Sequence, residues 1–322
     1  MSARIDVKLD AGTSIPGAAA GGIAASAWLP AEPERARFVL ACLPGGYMNR
    51  HYFDLVPPND TGNGTYSFAA QMTARGHVVV ALDHPGIGAS TPVEDGYALT
   101  PEVVAQADVN AIAAVMARLR TGTLADGVPP MPELRSIGVG HSMGAMLTVL
   151  LQARFRFHAG VALLGFSTRG LARFLPTATR TLPYAEQRAR LVALARSYFV
   201  TPWPALQPGA GGAELYGSAR AERAGVAALR GALDRLLPVP AYLAMVAGNV
   251  APEAAQIDVP VFLGVGDRDL TGPPAEIPAA FPAAPNVELE VLPETGHSHF
   301  LFPSRARLFG RLDGWLKRQI GN

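Results

Sequence analysis

Gly140-His141-Ser142-Met143-Gly144 is the stretch on which the reading of this chain turns. Upstream, Leu134 to Val139 reads as a short strand, with Ile137 and Val139 leading into the turn. Downstream of Ala145, the residues Met146, Leu147, Val149, Leu150 and Leu151 read as a buried helix. A serine in a five-residue turn between strand and helix takes a cramped backbone, and glycines two residues to either side relieve the crowding. That arrangement is a nucleophile elbow, which presents the hydroxyl at the carboxyl edge of a sheet. The five residues alone recur by chance in many proteins. The strand before them and the helix after them give them their meaning.

Other strands extend outward from this turn. Phe38–Leu43, Val78–Leu82, Val161–Leu164 and Val261–Val265 are continuous apolar runs, suited to parallel strands covered on both faces. Arg4–Asp10 alternates polar and apolar residues, as an outer antiparallel strand does, and Gly22–Leu29 is its expected partner. Val287–Val291 alternates again, which fits a sheet edge. Between the strands, Thr100-Pro101 caps a helix with apolar residues at 105, 109, 112, 116 and 119. A last helix from about Ser304 buries Leu308, Leu312, Trp315 and Leu316 and exposes Arg305, Arg311 and Lys317. The expected fold is therefore α/β, a doubly wound, mostly parallel, eight-stranded sheet.

The alternation of strand and helix breaks after the sixth strand. Residues 168–257 carry helical patches at Ala185–Tyr198 and Arg220–Leu237, a turn-forming Pro208–Gly212, and the aromatics Phe174, Tyr184, Tyr198, Phe199, Trp203, Tyr216 and Tyr242. A plain connection is far shorter. The expectation is a helical cap at 168–257 inserted into a core of 1–167 and 258–322.

A serine hydroxyl is a weak nucleophile and needs a base, which in turn needs an orienting acid. After the elbow the order should be acid, then histidine. The sixth strand ends in Leu164-Gly165-Phe166-Ser167 without a carboxylate, whereas the next core strand ends in Gly264-Val265-Gly266-Asp267-Arg268-Asp269. Asp269 lies further into the loop and fits the acid better; Asp267 is the alternative, with a turn-shaping role if it is not the acid. The base follows in Gly296-His297-Ser298-His299, with His297 preferred because a glycine precedes it and His299 as the alternative. Among the remaining histidines, His51 is the only other site candidate. An oxyanion hole needs backbone N–H groups. Met143 supplies one, and the loop Leu43-Pro44-Gly45-Gly46-Tyr47 the other, from Gly46 first and Tyr47 second. His141, beside the serine, and the cap residues Tyr198 and Trp203 are expected to border the substrate pocket.

With these parts the chain resembles the α/β-hydrolase fold superfamily, in particular its capped serine esterases and lipases. The resemblance rests on Gly140–Gly144, Pro44-Gly45-Gly46, Asp269, Gly296-His297 and Asp83-His84-Pro85-Gly86-Ile87-Gly88-Ala89-Ser90, which looks like that family's structural D-x-x-G-x-G-x-S turn. One departure is Pro44, which stands where those proteins usually have a histidine before the oxyanion glycines. The resemblance implies cleavage of a carboxylic ester or lactone through an acyl-enzyme, and the aromatics and aliphatics of the cap point to an apolar or aromatic substrate of moderate size. Carbon–carbon bond hydrolases, acyltransferases and perhydrolases use the same triad and form the alternative. A ligand-binding protein on this scaffold is the further alternative, although such proteins usually lack a triad member.

Bulk properties narrow the partners. The 322 residues carry a net charge of +1 with 16% charged residues, which gives no reason to expect a nucleic-acid partner. The 34 glycines and 28 prolines are many, but short of low complexity. The single cysteine, Cys42, has no intrachain partner for a disulfide and reads as a small buried hydrophobe. No run approaches the roughly 18 apolar residues that span a bilayer, so no membrane partner is expected. Arg4–Asp10 is unlike the start of a signal peptide, and a cytoplasmic location is the expectation. In a cytoplasmic chain the acceptor-like triplets at Asn59 and Asn63 mean only a polar loop. No H-E-x-x-H or C-x-x-C spacing is present, and Gly86-Ile87-Gly88 lacks the third glycine of a dinucleotide fingerprint. Neither a metal nor a cofactor is expected, and a homo-oligomer is left open.

Overall fold

The eight expected runs all form strands in the structure, a computed structural model that describes residues 4–12, 15–16, 22–58, 64–206 and 220–320. They are β1 (Arg4–Asp10), β2 (Gly22–Trp28), β3 (Phe38–Leu43), β4 (Val78–Leu82), β5 (Arg135–His141), β6 (Gly160–Leu164), β7 (Val261–Gly266) and β8 (Val287–Leu292). One sheet holds them in the order β1-β2-β4-β3-β5-β6-β7-β8. β2 pairs antiparallel with β1 and β4, and every other pairing is parallel.

Alternation along each central strand feeds two cores. In β3, Val39, Ala41 and Leu43 face one cluster, while Phe38, Leu40 and Cys42 face the other. The first cluster is closed by α2 (Pro101–Thr121) and α3 (Met143–Phe155). The second is closed by α1 (Phe68–Thr73) and α10 (Arg305–Ile320), which contributes Leu308, Phe309, Leu312, Trp315 and Leu316. Both faces of the sheet are therefore dry, which is why β3 to β7 are apolar at nearly every position. Helix α2 begins as its sequence indicates, with the Thr100 hydroxyl accepting from Val103 N–H, and ends at Gly122 with φ of 71°.

Three expectations about helices need correction. Arg305 is buried, not exposed. It opens α10 facing the loop at 64–67, where its guanidinium donates to Thr65 O at 3.0 Å and to Phe302 O at 2.8 Å, stacks on Tyr66 and pairs with Glu222. The single helix expected over Ala185–Tyr198 is two, α5 (Tyr184–Ala189) and α6 (Leu191–Phe199), because the backbone leaves helical geometry at Arg190.

The segment between β6 and β7 holds four further helices among the described residues, α4 (Thr177–Arg180), α7 (Arg223–Leu229), α8 (Pro238–Met245) and α9 (Ala251–Ala254). The second expected patch, Arg220–Leu237, is helical only at α7 and the short turn Arg230–Ala232; a new helix starts at Pro238, which suits a first helical position. Pro208–Gly212, Tyr216, Asn59 and Asn63 lie outside the described residues.

The Asp83–Ser90 turn ties the sheet to the loop after β3. Asp83 is fully buried and accepts from Arg50 N–H at 2.7 Å and Ala89 N–H at 2.8 Å, and it pairs with the Arg50 guanidinium. Ser90 donates to Asp83 O and accepts from Ala24 N–H of β2. A side chain at Gly88 would collide with the Asp83 carboxylate. No helix among the described residues is long and apolar enough to cross a membrane.

Candidate active site

β5 runs straight into the elbow. Ser142 has φ of 54° and ψ of −119°, a backbone rarely taken by a residue with a side chain. Its N–H is held by Leu164 O at 2.8 Å, and its carbonyl accepts from Ala145 and Met146 N–H at the start of α3. The flanking glycines are sterically required. A Cβ on Gly144 would press into the carbonyl oxygens of Leu43 and Pro44, and one on Gly140 into the backbone of Ala145.

Three of the candidate residues meet at this turn. His297 Nε2 lies 2.7 Å from Ser142 Oγ, and His297 Nδ1 lies 2.7 Å from Asp269 Oδ1. The Asp269 side chain is fully buried, and its Oδ1 also accepts from Leu270 N–H at 2.5 Å. Burial acts to raise the Asp269 carboxyl, but the charge of His297 and hydrogen bonds from His297 and His299 outweigh it. They hold the carboxyl well below the usual carboxylate range. Asp267 does not reach the histidines. It is exposed, and its Oδ1 accepts from Thr295 N–H at 3.1 Å, which fixes the loop before His297. His51 sits half-buried in the short turn Arg50–Phe53 and takes no part in this line of contacts.

The loop after β3 approaches the serine at Gly45. A Cβ there would lie 3.1 Å from Ser142 Cβ and 2.9 Å from His141 Nδ1. Gly46 packs next, against Leu236 and Met143, and Tyr47 takes φ of 61° while its carbonyl accepts from Asp234 N–H. The loop is fastened from below, where buried His84 bonds Pro44 O at 3.1 Å and Asp108 Oδ2 at 2.7 Å. Burial disfavours the charged His84 ring, yet the Asp108 carboxylate raises its pKa above the ordinary histidine value. Met143 opens α3, where the first backbone N–H groups have no partner within the helix.

The three expected pocket residues lie elsewhere. His141 is fully buried beneath the serine, where Nε2–H donates to His297 O at 2.9 Å and the ring packs on Tyr52. Burial, then the neighbouring His297 and His299, push its pKa well below the ordinary value. The Trp203 indole covers Gly86 and Gly96, stacks under Arg235 and donates to Val93 O at 3.0 Å. Tyr198 donates to Phe174 O at 3.0 Å and meets Tyr242 edge-on. Large aromatics that link elements are thus spent on anchoring.

A cavity of about 350 Å³, its open mouth included, lies beside Ser142 and His297. Met143, Met146, Phe166, Leu171, Ala244 and Leu270 give it apolar walls, and Ser167, Asn249 and Thr271 polar ones. The buried Thr271 hydroxyl has no hydrogen-bond partner among the described residues. Apart from Met143, sequence reasoning did not assign these residues to the pocket, because they carry no sequence pattern. It also missed the fastening of Pro44 by His84 and the second contact on Asp269 made by His299 Nε2 at 2.8 Å.

Comparison with known proteins bears on the fold and the family. A search of curated proteins finds no match. Among solved structures, the chain is similar to a thermophilic esterase from Thermogutta terrifontis, with 18% identity, 98% of this chain and 99% of that one covered, and a TM-score of 0.58. A lipase in its open form shows 18% identity, coverage of 99% and 100%, and a TM-score of 0.59. A proline iminopeptidase from Mycobacterium smegmatis shows 16% identity, coverage of 98% for both chains, and a TM-score of 0.59. These likenesses speak to the fold, and the differing activities in their names leave the substrate to the site itself. The sequence model of the alpha/beta hydrolase family matches residues 15–308, nearly the whole chain. With the eight-stranded sheet and the elbow already in place, this match shows that the chain belongs to the alpha/beta hydrolase family.

Proposed function

We propose that the protein is a serine hydrolase that cleaves a carboxylic ester or lactone through an acyl-enzyme. The observation that carries the proposal is the line Ser142 Oγ, His297 Nε2, His297 Nδ1, Asp269 Oδ1, with both contacts at 2.7 Å. His297 takes the hydroxyl proton as Ser142 Oγ attacks the carbonyl carbon, and Asp269 stabilises the imidazolium that forms. Met143 N–H, together with Gly46 or Tyr47 N–H from the loop that Gly45 brings against Ser142, receives the developing oxyanion. His297 then gives its proton to the leaving alkoxide. Water repeats the sequence on the acyl-enzyme and releases the acid.

The apolar walls of the cavity favour an acyl or alcohol group without charge, of small to moderate size. Residues 168–257 act as a cap in this reading, supported by Gly170, Leu171, Ala244 and Asn249, which line the cavity from that segment. The test is covalent labelling with a fluorophosphonate, followed by turnover of nitrophenyl esters of graded chain length and of lactones. Labelling that disappears in Ser142→Ala, with turnover of at least one uncharged ester, is expected. A wild-type protein that neither labels nor turns over any of them would contradict the proposal.

A further inference from the structure

Asp269 is shared between two imidazoles. Its Oδ1 meets His297 Nδ1, and its Oδ2 meets His299 Nε2 at 2.8 Å. Both the Asp269 and His299 side chains are fully buried. A carboxylate only accepts, so His299 Nε2 carries the hydrogen. His299 Nδ1 has no partner among the described residues, and a buried lone pair there is less costly than a buried N–H without an acceptor.

The surroundings make this histidine costly as mere filler. Its neighbour in the chain, Phe300, stacks on Tyr52 and packs on Phe53, Phe68 and Phe309. An apolar side chain in the buried position of His299 would leave no orphaned nitrogen. What the imidazole adds is its bond to Asp269. The titratable groups facing this pair are His297, His141, whose ring meets that of His299 edge-on, and the buried Tyr52 hydroxyl, which feels the Asp269 charge. Asp267 is engaged with Thr295 N–H, and Arg268 pairs with Glu294 at the surface.

We infer that His299 is a positioning residue for the triad: its Nε2–H keeps Asp269 from rotating away from His297 and draws off part of the carboxylate charge that stabilises protonated His297. The inference rests on the Ser142–His297–Asp269 reading given above. Its consequence is a set point. With His299 in place, Asp269 Oδ1 stays aimed at His297 Nδ1 while part of the carboxylate charge is engaged at Oδ2. Without that donor, the undiluted carboxylate favours the imidazolium, and the acidic limb of the pH profile moves upward.

The test measures kcat/KM against pH for an uncharged ester in wild type, His299→Leu and His299→Gln, with fluorophosphonate labelling of Ser142 in the same samples. His299→Leu is expected to raise the acid-side midpoint by about half a pH unit or more and to lower kcat by about tenfold. His299→Gln, whose amide N–H can still donate, should keep the wild-type midpoint and recover most of kcat. A lowered kcat with an unmoved midpoint in both variants would mean that His299 only fills space, and would overturn the inference.

If His299→Leu does not fold, nitrogen-15 NMR of the wild-type imidazoles decides. A protonated Nε2 and bare Nδ1 on His299 support the inference, and the opposite tautomer overturns it. Wild-type protein that fails to label at Ser142 would sink the triad reading and the role of His299 with it. Labelled wild type with an unshifted His299→Leu profile would sink the role of His299 alone.

Discussion

His141 Nε2 lies 2.9 Å from the backbone carbonyl of His297, so the residue just before the serine holds the loop that carries the serine's partner. The bond crosses from the end of β5 to the loop after β8, between residues 156 positions apart in the chain. Replacing His141 with Phe keeps the packing on Tyr52 and removes the donor. The expected outcome is a fall in kcat of about tenfold or more, since small misplacement of a catalytic base is costly, with the fold kept. His141→Phe turning over esters at the wild-type rate would show that the loop holds His297 unaided.

Asp269 and Asp267 should separate cleanly. Asp269→Asn keeps the shape but removes the charge that faces His297, and a loss in kcat on the order of 10⁴ is expected from triads of this kind. Asp267→Asn keeps an oxygen that can accept from Thr295 N–H at an exposed position, so it should cost little stability and little activity. Equal losses of turnover in the two variants would contradict the assignment.

Acid should weaken the fold before it protonates the carboxylates. Burial lowers the His158 pKa to about 3, and burial with its histidine neighbours pushes His141 well below the ordinary value. Both rings are neutral in the folded state, while the unfolded chain takes up protons as pH falls below about 6.5. Stability is therefore lost from about pH 6.5 downward, by about 2 kcal/mol at pH 5 for His158. His84 runs the other way, because a raised pKa contributes stability at low pH that fades as pH rises through its folded value. Urea unfolding at pH 7 and pH 5 should show the net loss. His158→Gln should flatten the slope between these points by about 1 kcal/mol per pH unit on average, the partial uptake of one proton. An unchanged slope would mean that His158 is protonated in the fold.

Selectivity should follow the cavity walls and not the large aromatics. Ala244→Phe puts a ring among Met146, Phe166 and Leu171 and should shift ester preference toward shorter acyl chains by about tenfold or more. Trp203→Ala removes the cover over Gly86 and the stack on Arg235, so it should lower stability by about 3 kcal/mol and leave the chain-length profile alone. The reverse pattern would place the substrate under Trp203.

The sheet was legible because both of its faces are covered. Phe38–Leu43 and Val261–Gly266 are apolar at every position for that reason, and a run of that kind has no competing reading beside a glycine-rich turn. The elbow was legible because Gly140 and Gly144 answer steric contacts that any side chain would violate. Asp269 was separated from Asp267 by reach alone, and in the folded loop it is Asp269 whose Oδ1 lies 2.7 Å from His297 Nδ1. What stayed hidden depends on contacts between distant residues. His299 looked like a rival base, and only the folded loop brings its Nε2 to the far oxygen of Asp269. Arg305 looked like a surface cation, and only the approach of Tyr66 and Glu222 buries it. Trp203 and Tyr198 looked like pocket residues because aromatic content marks apolar surface without saying which surface it meets.

The most direct test of the central claim is single-turnover acylation by an activated nitrophenyl ester, comparing wild type with Ser142→Ala by intact-protein mass. The account predicts a rapid burst of nitrophenol and one added acyl group in wild type, with both absent in Ser142→Ala and turnover down by about 10⁴ or more. A Ser142→Ala protein that still gains the acyl group, or that retains more than about a tenth of wild-type turnover, would contradict it.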